Sequence, residues 1–338
     1  MQGLILWIFW YRFKSRQLYL VSFILTIFLI DGKVKQLIKL KAKEEFTMSH
    51  PYKTREGGAT VTVFVPYDCH NHCPFCINKQ EYEDTTGFSL EKICESIRLM
   101  DEITPRCDFV FTGGEPMANL ESLQVMLDCV PTTHRVFINT TLPVMHDYTE
   151  DQVVEFLNKN RDKLTCINVS RHLFPFVEES NDDIFGRLQV KTRINCVLFG
   201  QHPTDKLMAF VKRFGKYNTP IQFRSDYTKT TPENLYDESD DAILADLRSI
   251  LTPTALEGCR IRCNYEFLDG DHVISYHKTL PYATITETGD DGVTNDILYD
   301  ILIKQTGELH SDWVDNRKLD VEAYRKVVFE PNDLHRIF

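Results

Sequence analysis

Neither a long apolar run nor an excess of positive charge is present in this chain. The apolar run at residues 18–30 has 13 residues, whereas a helix that crosses a bilayer needs about 20. Lys and Arg together number 38 against 49 Asp and Glu, which gives a formal net charge of -11. This balance argues against broad electrostatic attraction to phosphates, so we expect no nucleic-acid partner.

A small disulfide framework and a second zinc knuckle are also missing. Of the ten cysteines, Cys69, Cys73 and Cys76 are spaced C-x3-C-x2-C, and the only later close pair is Cys259 and Cys263. A structural zinc site takes four ligands, usually from two knuckles, so zinc at the first three cysteines is disfavoured. Cysteines in this number without a disulfide framework indicate a reducing compartment, which predicts a cytoplasmic protein.

The first three cysteines follow an apolar alternating run at residues 61–65, on the turn where a strand would end. Three thiolates on one short loop can hold three corners of a cubane iron-sulfur cluster. The fourth iron then has no ligand from the protein and is open to another molecule. We therefore predict Cys69, Cys73 and Cys76 as the metal ligands of a reactive 4Fe-4S centre.

A second motif follows the next strand-like run. Residues 109–111 lead into Thr112-Gly113-Gly114-Glu115-Pro116, and two adjacent glycines at a strand end let a ligand lie against bare backbone. A C-x3-C-x2-C loop with an aromatic residue before its third cysteine, followed by this motif, resembles the radical S-adenosylmethionine (SAM) superfamily. The resemblance covers residues 59–227 by motif and strand order.

The resemblance implies two cofactors, a 4Fe-4S cluster and SAM. The amino and carboxylate groups of SAM chelate the open iron, and reduction then gives methionine and a 5'-deoxyadenosyl radical. That radical abstracts hydrogen from a substrate, and the electron comes from a donor such as flavodoxin or ferredoxin. Because the family uses only thiolates as ligands, we interpret His70 and His72 as solvated loop residues.

The cofactor-binding residues implied by the resemblance are Phe75, Gly113, Gly114, Glu115, Ser170 and Asn195. The backbone of residues 113–115 and the Glu115 carboxylate would hold the methionyl amine. Phe75 would lie by the adenine, and the alternative for it is a loop aromatic that packs in the core. Ser170 and Asn195 fall at strand positions where family members contact the methionyl carboxylate or the ribose. No catalytic side chain is assigned.

Strand and helix patterns alternate from residue 59 onward. The strand-like runs are residues 61–65, 108–111, 135–139, 164–169, 192–199 and 221–224. Helical stretches are residues 89–100, 120–129, 153–159 and 205–214, with Ser89 as an N-cap, Thr149 and Gln152 as a capping box, and Gly215 as a stop. Near-continuous apolar strands in βα units indicate an α/β fold with a parallel sheet. The resemblance implies a partial (β/α)6 TIM-like barrel, and a doubly wound sheet is the alternative.

In a parallel barrel, chemistry collects at the carboxyl ends of the strands. Polar residues follow several of the predicted strands, among them Asn139 to Thr141, Ser170 and Arg171. We expect the polar groups at the strand ends to face one mouth of the barrel. The candidates for substrate contact are Arg224, Asp226, Tyr227, His272, Tyr276 and His277. The alternatives are that Arg224 and Asp226 pair at the barrel rim and that His272 or His277 is a solvated hairpin residue.

Residues 229–338 are predicted as a small C-terminal β-rich lid or substrate extension on a core barrel at residues 48–228. A radical intermediate requires that water be excluded, so the mouth needs a cover. We expect a helix at residues 240–251, a hairpin joining 263–268 to 273–276 through Asp269-Gly270-Asp271, and a second hairpin from 297–303 through Thr306-Gly307 to Leu309. Cys259 and Cys263 raise the alternative of an auxiliary cluster, although a cubane generally takes three or four thiolates.

Residues 1–47 form an apolar and basic N-terminal segment with three competing interpretations. They are a secretory signal, an interfacial anchor that would give peripheral membrane contact, or residues that are not translated. A signal is least favoured because a small-residue cleavage site is missing. The third interpretation is preferred, since Lys43-Glu44-Glu45 is what a purine-rich ribosome-binding sequence would encode shortly before Met48.

Three classes of function follow. The preferred one is a radical SAM enzyme that abstracts hydrogen from an unidentified small-molecule or peptide substrate. The same chemistry on a ribosomally made peptide or on a nucleotide is the alternative, and a non-catalytic iron-sulfur protein is the third. The Gly-Gly-Glu-Pro motif argues against the third class, because a structural cluster has no use for a SAM cradle.

Overall fold

Six parallel strands, adjacent in space in the order in which they follow along the chain, form the centre of the structure. This computed structural model describes residues 50–54, 59–65, 69–80, 86–142, 147–231, 234–235, 237–239, 241–259, 262–279, 283–313 and 317–329. The segment 1–47 and Met48 lie outside the described residues. Among the described residues, no helix is both long enough and apolar enough to cross a membrane.

The described elements are numbered in chain order. The strands are β1 (Tyr52–Thr54), β2 (Ala59–Phe64), β3 (Cys107–Thr112), β4 (Arg135–Thr140), β5 (Cys166–Ser170), β6 (Thr192–Leu198), β7 (Ile221–Ser225), β8 (Thr252–Cys259), β9 (Arg262–Asp269), β10 (His272–Thr279), β11 (Thr284–Thr288), β12 (Thr294–Leu298), β13 (Asp300–Ile303) and β14 (Leu309–His310). The helices are α1 (Ile77–Gln80), α2 (Leu90–Ile103), α3 (Leu120–Cys129), α4 (Glu150–Lys159), α5 (Thr204–Gly215), α6 (Ala242–Ile250) and α7 (Val321–Tyr324).

The strand order confirms the predicted fold class. Strands β2 to β7 pair in parallel, each with the next, inside an eleven-stranded sheet of order β14-β13-β2-β3-β4-β5-β6-β7-β10-β9-β8. A doubly wound sheet reverses its strand order near the middle, and this run of six does not. The described strands therefore wind in one direction, as in a partial (β/α)6 barrel, and they do not close into a complete barrel.

Local signals place the helices. The Ser89 side chain accepts a hydrogen bond from the backbone N–H of Lys92 and begins α2, as predicted. Thr149 and Gln152 form both hydrogen bonds of a capping box at the start of α4. Since capping satisfies N–H groups that the first helical turn leaves without partners, these residues define where each helix starts.

The central strands have an apolar face against the helices and a polar inner face. On β7, Phe223 packs against Phe210 of α5, with ring centroids 5.7 Å apart. On the inner face, Asn168 donates to the side-chain oxygen of Asn139 at 2.8 Å and accepts from the guanidinium of Arg193 at 2.8 and 3.1 Å. Barrel interiors are commonly filled by branched apolar side chains. The polar side chains on this inner face are therefore candidates for ligand binding.

The C-terminal part of the chain extends both flanks of the six-stranded centre. Strand β10 pairs in parallel with β7, and β13 pairs in parallel with β2. The predicted first hairpin is confirmed as the antiparallel pair β9–β10, whose turn places Gly270 at φ 61°. The predicted second hairpin is confirmed only for the antiparallel pair β13–β14. The predicted strand 297–303 breaks at Tyr299. Ile297 lies in β12, which belongs to a separate sheet of order β1-β12-β11.

Candidate functional site

The cysteine loop lies at the carboxyl end of β2. The backbone N–H of Cys76 donates to the carbonyl of Cys73 at 3.2 Å, just before α1 begins. Cys69, Cys73 and Cys76 are all partly exposed and form no disulfide. In a 4Fe-4S cluster each thiolate binds a different iron, so the thiolates do not surround one point. Among the described residues, no three metal-binding side chains converge as a single ion would require.

Other cysteines have a different environment. Cys94, Cys107, Cys166 and Cys196 are buried, as expected for cysteines that act as small apolar residues. Burial raises the pKa of all four thiols, to about 12 for Cys94 and for Cys107. A thiol that resists ionisation is a poor metal ligand, so these four are structural. Cys259 and Cys263 are placed by their backbone at the β8–β9 turn, but their side chains lie outside the described part of the chain.

The segment after β5 holds the cysteine loop in place. The thiol of Cys73 donates to the carbonyl of Phe176 at 3.7 Å. The side-chain oxygen of Asn71 accepts from the backbone N–H of Glu178 at 2.8 Å, and its amide nitrogen donates to Thr141 at 3.5 Å. Two strand ends thus fix the loop, which keeps its thiols at the mouth of the sheet.

Phe75 is enclosed by aromatic rings from that same side. It is 8% exposed, with ring centroids 4.8 Å from His172, 5.4 Å from Phe176 and 5.7 Å from Phe199. Burial lowers the pKa of His172 to about 4, so its ring is neutral near pH 7. Phe75 therefore packs in the core, which is the alternative interpretation given for it above. Contact between Phe75 and the adenine stays a prediction.

The Gly-Gly-Glu-Pro motif follows β3, directly beside the cysteine loop. Gly113 has φ 116°, and a Cβ there would lie 3.1 Å from both the backbone N and O of Val65. That conformation and contact require glycine. The side-chain amide of Asn78, two residues after Cys76, donates to the Gly113 carbonyl at 2.6 Å, so the two motifs are bonded to each other.

Glu115 is buried, and its carboxylate is fully engaged. One oxygen accepts from the backbone N–H of Met117 at 3.1 Å and from the hydroxyl of Thr140. The other accepts from the backbone N–H and the hydroxyl of Thr141, both at 2.8 Å. Burial raises the pKa of Glu115 although these four donors oppose the shift. Four donors fill the lone-pair sites of a carboxylate, so this group ties the motif to the end of β4.

Arg171 is a residue of the mouth whose role the sequence did not indicate. Its guanidinium is fully buried and donates to the carbonyls of Thr141 and Ser170, at 2.6 and 2.8 Å, and to the Ser180 hydroxyl at 2.8 Å. Burial lowers its pKa to about 10, which leaves it charged near pH 7. The side chain joins the ends of β4 and β5 and supports Thr141, which in turn holds Glu115.

Ser170 and Asn195 are brought side by side. They are register partners on β5 and β6, and the backbone N–H of Arg171 donates to the Asn195 carbonyl at 3.0 Å. Within the described residues, the buried side-chain oxygen of Asn195 has no hydrogen-bond partner. An acceptor of this kind suits a ligand with N–H or O–H groups.

The candidates for substrate contact divide into two groups. Arg224 and His277 are register partners on β7 and β10 and both contact Gln222, whose oxygen accepts from Arg224 at 3.1 Å and whose nitrogen lies 3.1 Å from Nε2 of His277. Arg224 and His277 lie on the inner face, one same-face position nearer to the carboxyl ends of the strands than Asn195. Asp226 caps the short turn Tyr227–Lys229 that follows β7.

The structure does not bring His272 and Tyr276 to this mouth. His272 begins β10 at the opposite end of the sheet, where its Nε2 donates to the Thr219 carbonyl at 2.6 Å. Tyr276 is 1% exposed and alternates with His277 along the strand, so it faces α6, where its hydroxyl donates to Asp241 at 3.2 Å. The expectation of substrate contact is wrong for both, because strand direction and alternation turn them away.

The residues present fit the two expected cofactors. The three cysteines are partly exposed, and Asn78 bonds their loop to Gly113 of the neighbouring motif. Two buried amide oxygens, those of Asn78 and Asn195, lack donors within the described structure. A buried acceptor without a partner is uncommon and calls for a donor from a ligand. The site therefore accommodates a cluster together with a polar molecule bearing N–H or O–H groups.

Residues 56–183 match the family described as 4Fe-4S single cluster domain, a segment that contains the cysteine loop, the Gly-Gly-Glu-Pro motif and β2 to β5. This segment is therefore similar to single-cluster iron-sulfur domains. It contains the cysteine loop and the Gly-Gly-Glu-Pro motif, which Asn78 joins at one end of the parallel sheet. No curated protein matches this chain in sequence.

Among solved structures, SuiB from Streptococcus suis bound to the precursor peptide SuiA is 16% identical and covers 58% of this chain and 43% of its own, with a TM-score of 0.39. Native anSMEcpe with bound AdoMet and the Cp18Cys peptide is 16% identical and covers 54% of each chain, with a TM-score of 0.37. This chain spans about half the length of each of these proteins.

Proposed function

We propose that this protein is a radical SAM enzyme in which Cys69, Cys73 and Cys76 bind a single 4Fe-4S cluster and SAM binds its fourth iron. When bound there, the reduced cluster and SAM supply a 5'-deoxyadenosyl radical that abstracts hydrogen from the substrate. The observation that carries the proposal is the hydrogen bond from Asn78 to Gly113. It joins a loop with three partly exposed cysteines to a strand end that carries two glycines, which is an arrangement for binding a ligand beside a cluster.

The chain's own residues divide the work of holding these groups. The bare backbone at Gly113 and Gly114 accepts the methionyl amine, while the Glu115 carboxylate keeps that backbone in place through Thr140 and Thr141. Ser170 and Asn195, side by side on β5 and β6, hold the methionyl carboxylate or the ribose.

The aromatic rings around the cysteine loop exclude water from one side of the site. Phe176 packs on Phe75 and on Phe199, and Phe75 packs on the neutral ring of His172. A radical is quenched when it abstracts hydrogen from a group other than the substrate, so side chains that exclude solvent protect the intended reaction. The packing of Phe75 thus serves the site whether or not its edge meets the adenine.

The substrate is proposed to lie on the inner face beyond Asn195, against Arg224, Gln222 and His277. These groups offer a guanidinium, an amide and an imidazole held in one hydrogen-bonded unit. A small polar molecule or a peptide presents complementary carbonyl and hydroxyl groups. An external one-electron donor such as flavodoxin or ferredoxin is proposed to reduce the cluster.

The proposal is tested by anaerobic reconstitution with iron and sulfide, followed by metal analysis and electron paramagnetic resonance of the dithionite-reduced protein. We expect about four irons per chain and a change in the cluster signal when SAM is added. About eight irons would instead indicate an auxiliary cluster at Cys259 and Cys263. A cluster whose signal SAM leaves unchanged would favour the non-catalytic iron-sulfur protein.

A further inference from the structure

Asn78 has a side chain that is bonded at one end and unsatisfied at the other. Its amide nitrogen donates to the Gly113 carbonyl at 2.6 Å. Its side-chain oxygen is buried and, in the part of the chain that the structure describes, has no hydrogen-bond donor. The residue is 7% exposed, so bulk water does not serve as the missing partner.

The orientation of this amide is determined by its neighbour. A backbone carbonyl can only accept, so the NH2 group of Asn78 has to face Gly113 and the oxygen has to point elsewhere. Exchanging the two ends would set two oxygens against each other and still leave the NH2 group buried. The unsatisfied acceptor is therefore a property of the site.

The nearby carboxylate does not offer a competing acceptor. Both oxygens of Glu115 are occupied by Met117, Thr140 and Thr141. A ligand amine beside the Gly-Gly-Glu-Pro motif consequently has to find its acceptors among the glycine carbonyls and the side chain bonded to them. Asn78 is that side chain.

We propose that the side-chain oxygen of Asn78 accepts a hydrogen bond from the methionyl amine of SAM, which makes Asn78 a binding residue for this group. The inference rests on the proposed function and deepens it. Bound SAM would supply the donor that the described residues do not provide, and the bond to Gly113 would keep the acceptor oriented. Leaving a buried acceptor without a donor is unfavourable, so the bond should contribute measurably to SAM affinity.

The test compares two ligands on two proteins. SAM and its analogue with the α-amine replaced by hydrogen are titrated into the cluster-loaded wild-type chain and into Asn78→Ala, and the dissociation constants are measured by calorimetry. We expect Asn78→Ala to weaken SAM binding about tenfold and to change binding of the analogue by less than about twofold. Non-additivity of this kind assigns the contact to the amine.

Asn71→Ala is the matched control. Asn71 lies on the same loop and is 8% exposed, but its side-chain oxygen already accepts from Glu178. Its substitution loosens the loop without removing an acceptor for the ligand, so both ligands should lose affinity by the same factor. Iron and sulfide analysis shows whether each variant carries its cluster.

Several outcomes would overturn the proposal. Equal weakening of SAM and the analogue by Asn78→Ala would make Asn78 a positioning residue for the loop, and unchanged SAM affinity would remove it from the site. Asn78→Ser, which leaves only a short hydroxyl, repeats the test if the alanine variant does not hold its cluster, and loss of the cluster in both would likewise leave Asn78 a loop-holding residue. Failure of the loaded wild-type chain to bind SAM would instead overturn the proposed function together with this inference.

Discussion

Replacing Glu115 by Gln should destabilise the fold even when no ligand is bound. The carboxylate accepts four hydrogen bonds, two at each oxygen, from Met117, Thr140 and Thr141. Glutamine offers one oxygen and one NH2 group. One of the two pairs of donors around Glu115 would therefore meet an NH2 group instead of an acceptor. The threonine hydroxyls can turn to accept, whereas the backbone N–H of Met117 or of Thr141 cannot.

The magnitude follows from the one N–H group that loses its acceptor. A buried donor without a partner costs about 1–3 kcal/mol, and we expect Glu115→Gln to lower the free energy of unfolding by about 2 kcal/mol. Urea unfolding of the cluster-free chain, followed by far-UV circular dichroism, measures this difference. Glu121→Gln is the control, because Glu121 is exposed in the first turn of α3, and its effect should stay within about 0.5 kcal/mol.

The refuting result is equally specific. If Glu115→Gln were as stable as Glu121→Gln and SAM affinity fell sharply, the carboxylate would be a ligand-binding group, as the family resemblance implied. The four hydrogen bonds would then have no structural importance. Loss of stability with SAM affinity kept in the surviving folded protein supports the architectural role.

Two further predictions concern a buried histidine and a helix cap. Burial lowers the pKa of His172 to about 4, against about 6.5 in the unfolded chain. Between these two pH values the unfolded chain takes up a proton that the folded chain does not bind. The free energy of unfolding should therefore be unaffected by this group above pH 6.5 and should fall by about 3 kcal/mol as the pH drops to about 4. His172→Gln keeps an acceptor for the Val197 N–H and should flatten that part of the stability profile in urea titrations, while parallel profiles for the two proteins would refute the assignment. Thr149→Ala removes one bond of the capping box of α4 and should shift the urea midpoint by an amount equal to about 1 kcal/mol, whereas an unchanged midpoint would show that the cap does not matter.

The sequence predicted the central architecture because its signals are local. Strand patterns and their carboxyl-end loops follow from the spacing of apolar residues, and all six predicted strands are present. Helix starts at Ser89 and Thr149 depend on residues three positions away, so a short window contains the whole cause. The helix predicted at residues 120–129 has the same bounds in the structure.

Features that depend on distant parts of the chain were not predictable in this way. The pairing of β10 with β7 and of β13 with β2 joins segments far apart in sequence, and neither pairing has a local signal. The assignment of His272 failed because it requires the direction of β10, which only that pairing determines. The burial of Arg171 and the saturation of Glu115 likewise depend on Thr141, which reaches both from the end of another strand.

The central claim is reductive cleavage of SAM at the cysteine loop. It is tested most directly by incubating the anaerobically reconstituted protein with dithionite and SAM, detecting 5'-deoxyadenosine by mass spectrometry, and running Cys73→Ala alongside. We predict 5'-deoxyadenosine with the wild-type chain and none with the variant. A wild-type chain that forms its cluster and binds SAM but yields no 5'-deoxyadenosine would contradict the claim.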